Sequence, residues 1–241
     1  MISVPQSVSF DKIVSSTAVT PIDEVWAMIG QVNQERALTD LRKLTGEEPI
    51  CLDNDCYTIT NREVGSPGLQ WAKDYVYDEL DKIGYTVEIQ DWSTPDYEDQ
   101  NLIVRKPGLI YPDEEIYFIA HLDGQFNIPA ADDNASGVVS LLEMARIIKQ
   151  RVFYYTLVLL ITTGEEPGYL SAQYYVDHLN QDQLDAIMYV LNVDMIGYDA
   201  NQDRVMELYS GDQPLDFVQL LSDIIFTYQI NLQPQIMPGC A

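Results

Sequence analysis

The chain has 241 residues, 46% of them hydrophobic, enough for one sizeable core, so an α/β domain is expected rather than a disordered or fibrous chain. Its 38 acids against 13 Lys plus Arg give a formal net charge of −25, which argues against nucleic acid as a partner, because phosphate binding draws on clustered basic residues. So much acid reads as a solvated, self-repelling surface, from which the carboxylates at special positions must be picked one by one.

In chain order, the opening stretch MISVPQSVSFDKIV lacks a basic region followed by an apolar run, so no signal peptide is read in it. Val25, Met28, Ile29, Val32, Leu38 and Leu41 recur at helical spacing and predict a helix over 22–44, interrupted near Asn33. Cys51 and Cys56 enclose Leu-Asp-Asn-Asp and leave both a small-loop disulfide and free thiols open, whereas Cys240 has no evident partner. A second helix is predicted over 66–84, with Ser66 as cap, Pro67 in the first turn, Gly84 as stop, and Trp71, Tyr75, Leu80 and Ile83 facing inward. Residues 1–60 are expected to be a helical segment packing on a domain of 61–241.

Strands are predicted over 85–92, 101–106 and 114–123, with Pro107 and Pro112 marking the turn between the last two. From there helix 134–150, strand 155–163, helix 168–179, strand 187–194, the extended run RVMELYS and helix 214–227 alternate, before a final strand-like YQINLQPQI. Alternation with near-continuous apolar strands means a mixed, largely parallel central sheet sandwiched between helices. No run approaches the roughly 18 apolar residues of a membrane span, and no membrane partner is expected. Ligands of such sheets collect beyond the carboxyl ends of the strands.

That is where the acids are. Strand 114–123 runs into His121 and Asp123, strand 155–163 into Glu165 and Glu166, strand 187–194 into Asp194, and Asp132-Asp133 opens a helix. Adjacent acids at such a place are either held by a cation or form a solvated loop. Burying so many charges unpaired would cost roughly several kcal/mol each, so a multivalent cation is the simplest compensation. An imidazole among carboxylates suits Zn²⁺ better than Ca²⁺ or Mg²⁺, and Asp123, two residues from His121 on the same side of a strand, can orient the ring. The run DANQD at 199–203 lacks the glycine and glutamate of a calcium loop and reads as a solvated turn.

The segments AHLDG, PAADDNASGV, TTGEEPGYLSAQYY and NVDMIGYD, in this order, resemble the co-catalytic dizinc exopeptidases, the group of bacterial leucyl aminopeptidases and glutamate carboxypeptidase-type enzymes. The resemblance covers roughly residues 60–240 and implies a phosphorylase/hydrolase-like zinc-exopeptidase fold acting on peptide substrates. It implies that His121, Asp132 and Asp194 hold one zinc, that Asp132 bridges to a second zinc on Glu166, that Glu165 is the general base, and that Asp123 orients His121. It further implies a cis peptide between Asp132 and Asp133, and a secreted or periplasmic location.

The chain departs from the pattern in one respect. The family completes the Glu166 zinc with a late histidine, but only His121 and His178 are present, and His178 lies some three helical turns past Glu166, about 18 Å at 1.5 Å per residue. His178 reads as an ordinary polar helix residue, and the chain as a C-terminally shortened form of the domain. A zinc exopeptidase, most simply an aminopeptidase, is expected. The alternatives are a glutaminyl cyclase, which uses one zinc on the same fold, and a non-catalytic interaction domain that has lost its metals.

Overall fold

The computed structural model describes residues 19–210, 216–237 and 239. The readings of the N-terminal stretch to residue 18, of Cys240 and of the first residues of helix 214–227 lie outside them. In chain order the elements are α1 (Asp23–Ile29), α2 (Gln34–Leu44), β1 (Ile50–Leu52), β2 (Asp55–Tyr57), α3 (Pro67–Ile83), β3 (Val87–Ser93), β4 (Glu98–Lys106) and β5 (Tyr111–His121). A π-type turn, Ala131–Ser136, leads into α4 (Gly137–Ile148), then β6 (Tyr155–Thr162), α5 (Leu170–Asp177), α6 (Gln181–Ala186), β7 (Ile187–Asn192), β8 (Val205–Tyr209), α7 (Asp216–Thr227) and β9 (Gln233–Met237).

These residues fall into two compact units, one spanning Gln31–Tyr198 and the other made of the flanking segments. In the larger unit, a five-stranded sheet has the order β3-β4-β6-β5-β7. β4 runs antiparallel to both neighbours, while β6, β5 and β7 are mutually parallel. His121 pairs with Thr162, and Ile119 with Asn192, so the carboxyl ends of the three parallel strands meet at one edge. β6 is buried along nearly its whole length because both its faces are covered. Leu159 and Ile161 pack with α3 and α4, whereas Val158 and Leu160 pack with Tyr175 of α5.

Helix boundaries follow local chemistry. The interruption expected near Asn33 is a cap: its side chain accepts the Arg36 N–H at the start of α2, and α1 ends at Gly30. Ser66 accepts the Leu69 N–H, and Gly84 closes α3 in the left-handed region at φ 93°. Ion pairs tie the layer above the sheet together, with Arg36 on Glu143 and Arg146 on Asp40 and Glu79, joining α2, α3 and α4. Leu44 and Ile50 share one core with Leu69, Leu80 and Leu142. Cys51 and Cys56 are bonded across the β1–β2 hairpin, an element that periodicity does not reveal.

In the smaller unit β8, α7 and β9 form a parallel strand-helix-strand unit. Trp26 of α1 lies edge-on to Tyr228 at 5.2 Å, and the Tyr228 hydroxyl accepts the Ile22 N–H. The 199–203 run is a turn bonded within itself, Asn201 to Asp203 at 2.6 Å. No helix among the described residues is long and apolar enough to cross a membrane.

Candidate metal centre

β5 delivers His121, only 2% exposed, to the strand-end edge. Its Nδ1 lies 3.2 Å from the carbonyl oxygen of Asp123 and 3.5 Å from its carboxylate, which gives one ring nitrogen its partners and leaves Nε2 for the site. The fully buried Asp123 carboxylate also accepts the N–H groups of Glu165 at 3.2 Å and Glu166 at 3.1 Å. One side chain therefore both faces the imidazole and fixes the turn that ends β6. That turn requires Gly164, at φ 79°, where a Cβ would stand 2.6 Å from the Trp92 ring.

Around Nε2 stand Asp133 Oδ1 at 3.1 Å, Asp194 Oδ1 at 3.5 Å and Glu165 Oε2 at 4.0 Å. The carboxylate closest to Nε2 is thus that of Asp133, where the sequence reading places Asp132. Asp132 points elsewhere, and its Oδ1 accepts the Gly197 N–H at 2.7 Å, tethering the segment that follows Asp194. The two side chains diverge because Asp133 leaves the helical region, at φ −102° and ψ 93°. The cis peptide joins Asp133 to Asn134, one bond later than the resemblance implies.

Asp194 is held through its backbone neighbours. Val193 donates to Ile119 O of β5, and its own carbonyl accepts Asn134 Nδ2 at 2.8 Å. Gly137 allows this approach, since a Cβ there would lie 2.3 Å from Val193 O. His121, Asp133 and Asp194 bring one ligand atom each within 4.8 Å of one another. Among the described residues His121 Nε2 and Asp194 Oδ1 are buried with no hydrogen-bond partner, as is Glu166 Oε1. Nitrogen and carboxylate donors left unsatisfied at one point fit a zinc-type ion.

The electrostatics agree. Burial lowers the His121 pKa, but the carboxylates of Asp123 and Asp194 overcome it and carry it up to about 10, so this point of the molecule demands positive charge. Burial raises the Glu165 carboxyl; His121 opposes this, and Asp123, Glu166 and Asp194 reinforce it. Burial likewise raises Glu166, against a hydrogen bond from Gln125.

Glu165 and Glu166 stand outside the three-donor group. His178 does not approach it: at the end of α5 its ring stacks on Tyr174 at 3.9 Å and its Nδ1 lies 2.8 Å from the Tyr174 carbonyl. A cleft of about 200 Å³ lined by Val64, Tyr97, Phe126 and Pro167 opens beside Glu166, with Glu63 and Gln125 as further lining. The sequence reading misses Arg62, which is fully buried next to these groups. The signal available for it is scarcity, a cation just ahead of the Ser66 cap in a chain with 13 Lys plus Arg.

Comparison with known proteins gives this arrangement a family. A match to peptidase family M28 runs over residues 101–238, more than half of the chain, and the chain belongs to that family. Aminopeptidase YwaD of Bacillus subtilis (strain 168) is 35% identical over 111 residues, 46% of this chain and 24% of that protein. The chain therefore spans about a quarter of that relative's length. Two solved structures share the fold. BSAP, a zinc aminopeptidase from Bacillus subtilis, superposes with a TM-score of 0.74 at 14% identity, covering 86% of this chain and 80% of that one. A glutaminyl cyclase of Porphyromonas gingivalis gives 0.64 at 17% identity, covering 88% and 77%.

Proposed function

We propose that the chain carries the catalytic core of a zinc-dependent exopeptidase, an aminopeptidase in the first instance. The observation that carries this reading is the convergence of His121 Nε2, Asp133 Oδ1 and Asp194 Oδ1, two of them buried without partners among the described residues, beside a carboxylate that stays outside the group. Zinc held by these three residues would supply Lewis acidity, making water acidic enough to attack at neutral pH and polarising a peptide carbonyl.

The chain's own residues supply the rest. Asp123 fixes the His121 ring and, through its bonds to the Glu165 and Glu166 amides, the position of both glutamates. Glu165, with its carboxyl held above the ordinary range by burial, takes the proton of the attacking water and returns it to the leaving amine. The side chains of Asp133 and Asp194 are 34% and 33% exposed, which leaves the centre open to substrate. The neighbouring cleft offers a substrate side chain a partly apolar place. A second zinc would be held by Glu166 with further donors that His178 does not supply. The Cys51–Cys56 bond supports a secreted or periplasmic location.

A single three-donor group among the described residues also favours a second reading, a one-zinc glutaminyl cyclase. Zinc-loaded protein offered a leucyl chromogenic amide and a peptide with N-terminal glutamine separates the two. Release of the chromophore, lost on chelation and regained with zinc, is the expected result. Cyclised glutamine without amide hydrolysis would replace the first reading by the second, and neither activity in zinc-loaded protein would remove both.

A further inference from the structure

We propose that Arg62 is a positioning residue of the metal centre, a buried cation that clasps the strand end bearing His121 and Asp123 to the loop bearing Asp133. This inference rests on the metal-centre reading above. The guanidinium gives its hydrogen bonds to backbone carbonyls: Nε to Leu122 at 2.7 Å, Nη1 to Leu44 at 2.5 Å and Pro129 at 2.9 Å, and Nη2 to Ala130 at 2.8 Å. Leu122 stands between His121 and Asp123, and Pro129 and Ala130 lead directly into the turn that carries Asp133. Leu44 ends α2. In return the Arg62 carbonyl accepts the Gly124 N–H at 3.1 Å, so the clasp closes on the strand end from both sides.

Two physical features make this more than packing. Ala130 is held in the left-handed region, at φ 51° and ψ 46°, which a side-chain-bearing residue avoids, and the bond from Nη2 secures its carbonyl there. Among the described residues none of the Arg62 hydrogen bonds goes to a carboxylate, yet the acids that feel its charge are Asp123, Asp133 and Glu166. The guanidinium thus eases repulsion between the acids of the site without occupying the place of the metal. A lysine would keep the charge but has one nitrogen where arginine has a planar fork reaching three segments.

The test is a titration of metal-free wild type, Arg62→Lys and Arg62→Met with Co²⁺, reading affinity and coordination from the visible absorption bands, with melting temperatures alongside. Wild type is expected to bind, and Arg62→Lys to fold and bind Co²⁺ about 10–100-fold more weakly with changed band intensities. Arg62→Met should bind at least as weakly. A merely structural arginine would lower the melting temperature and leave the Co²⁺ affinity of the folded variants at the wild-type value, which would overturn the proposal. No Co²⁺ binding by wild type would overturn the metal-centre reading and this inference with it; wild-type binding with unaltered variants overturns the role of Arg62 alone. If neither Arg62 variant folds, Gly124→Ala wedges the same junction with the guanidinium in place, since its Cβ would meet the Ala130 Cβ at 2.4 Å. The same weakening is expected there, and wild-type Co²⁺ affinity in Gly124→Ala would refute the clasp.

Discussion

Asp132 and Asp133 are chemically identical neighbours with different contacts, and the difference is testable one side chain at a time. Asp133→Asn removes a carboxylate 3.1 Å from His121 Nε2 and should leave the protein folded but unable to retain zinc through gel filtration. Asp132→Asn keeps an oxygen that can accept the Gly197 N–H, and its zinc content should equal that of wild type. Metal analysis of the two purified variants decides the matter; the reverse pattern would restore Asp132 as the ligand. Glu165→Gln should retain zinc and lose about 10²–10⁴-fold in kcat, the ordinary contribution of a general base. The sequence placed His121, Asp123, Glu165, Glu166 and Asp194 near one another because strand ends and ligand chemistry pointed the same way. It could not separate Asp132 from Asp133, because the choice is made by one residue leaving helical geometry inside a tight turn. Arg62 was illegible for another reason: its partners are backbone carbonyls distant in sequence, and no periodicity or motif spacing records them.

At the scale of elements, the centre depends on how closely α4 approaches the segment after β7. Gly137 opens α4 with Val193 O and Asn134 Oδ1 where its Cβ would be, at 2.3 and 2.4 Å. Gly137→Ala should therefore push the Asp194 segment outward, destabilising the fold by about 1–3 kcal/mol, the usual range for overpacking, and weakening zinc retention. Denaturant melts and zinc analysis on the same sample check both parts, and a variant as stable as wild type would show that the segment moves freely. Most elements were readable from apolar spacing and caps, α3 above all, where Ser66, Pro67 and Gly84 mark both ends. The β1–β2 hairpin was not, since its strands are three residues each, too short for an alternation to register. α6 was missed as well; its signal is the Asn180/Gln183 capping box rather than any apolar stripe.

The whole molecule carries a net charge of −25, and its stability on acidification turns on which carboxylates are paired. Burial raises the Glu143 and Glu79 carboxyls, but bonds from Arg36 and the Asn33 N–H to the first, and from Arg146 and Lys82 to the second, leave both below the ordinary glutamate range. A depressed folded-state pKa stabilises fully above the unfolded value of about 4.3 and is lost as pH falls through the folded value. The melting temperature should hold from neutral pH to about pH 5 and drop below it, with a shallower drop from a lower plateau in Glu143→Gln. Equal slopes for the two proteins would show that the α2–α4 ion pair adds nothing. The division into two units was not legible, because β8, α7 and β9 have the same alternating pattern as the strands and helices of the larger unit.

The proposed function stands or falls with a metal ion held by His121, Asp133 and Asp194. Crystals of the zinc-loaded protein, measured on either side of the zinc absorption edge, test it most directly. An anomalous difference peak bounded by His121 Nε2 and the carboxylates of Asp133 and Asp194 is expected. No peak there in zinc-loaded crystals, or a peak on Asp132 with Asp133 turned to solvent, would contradict it.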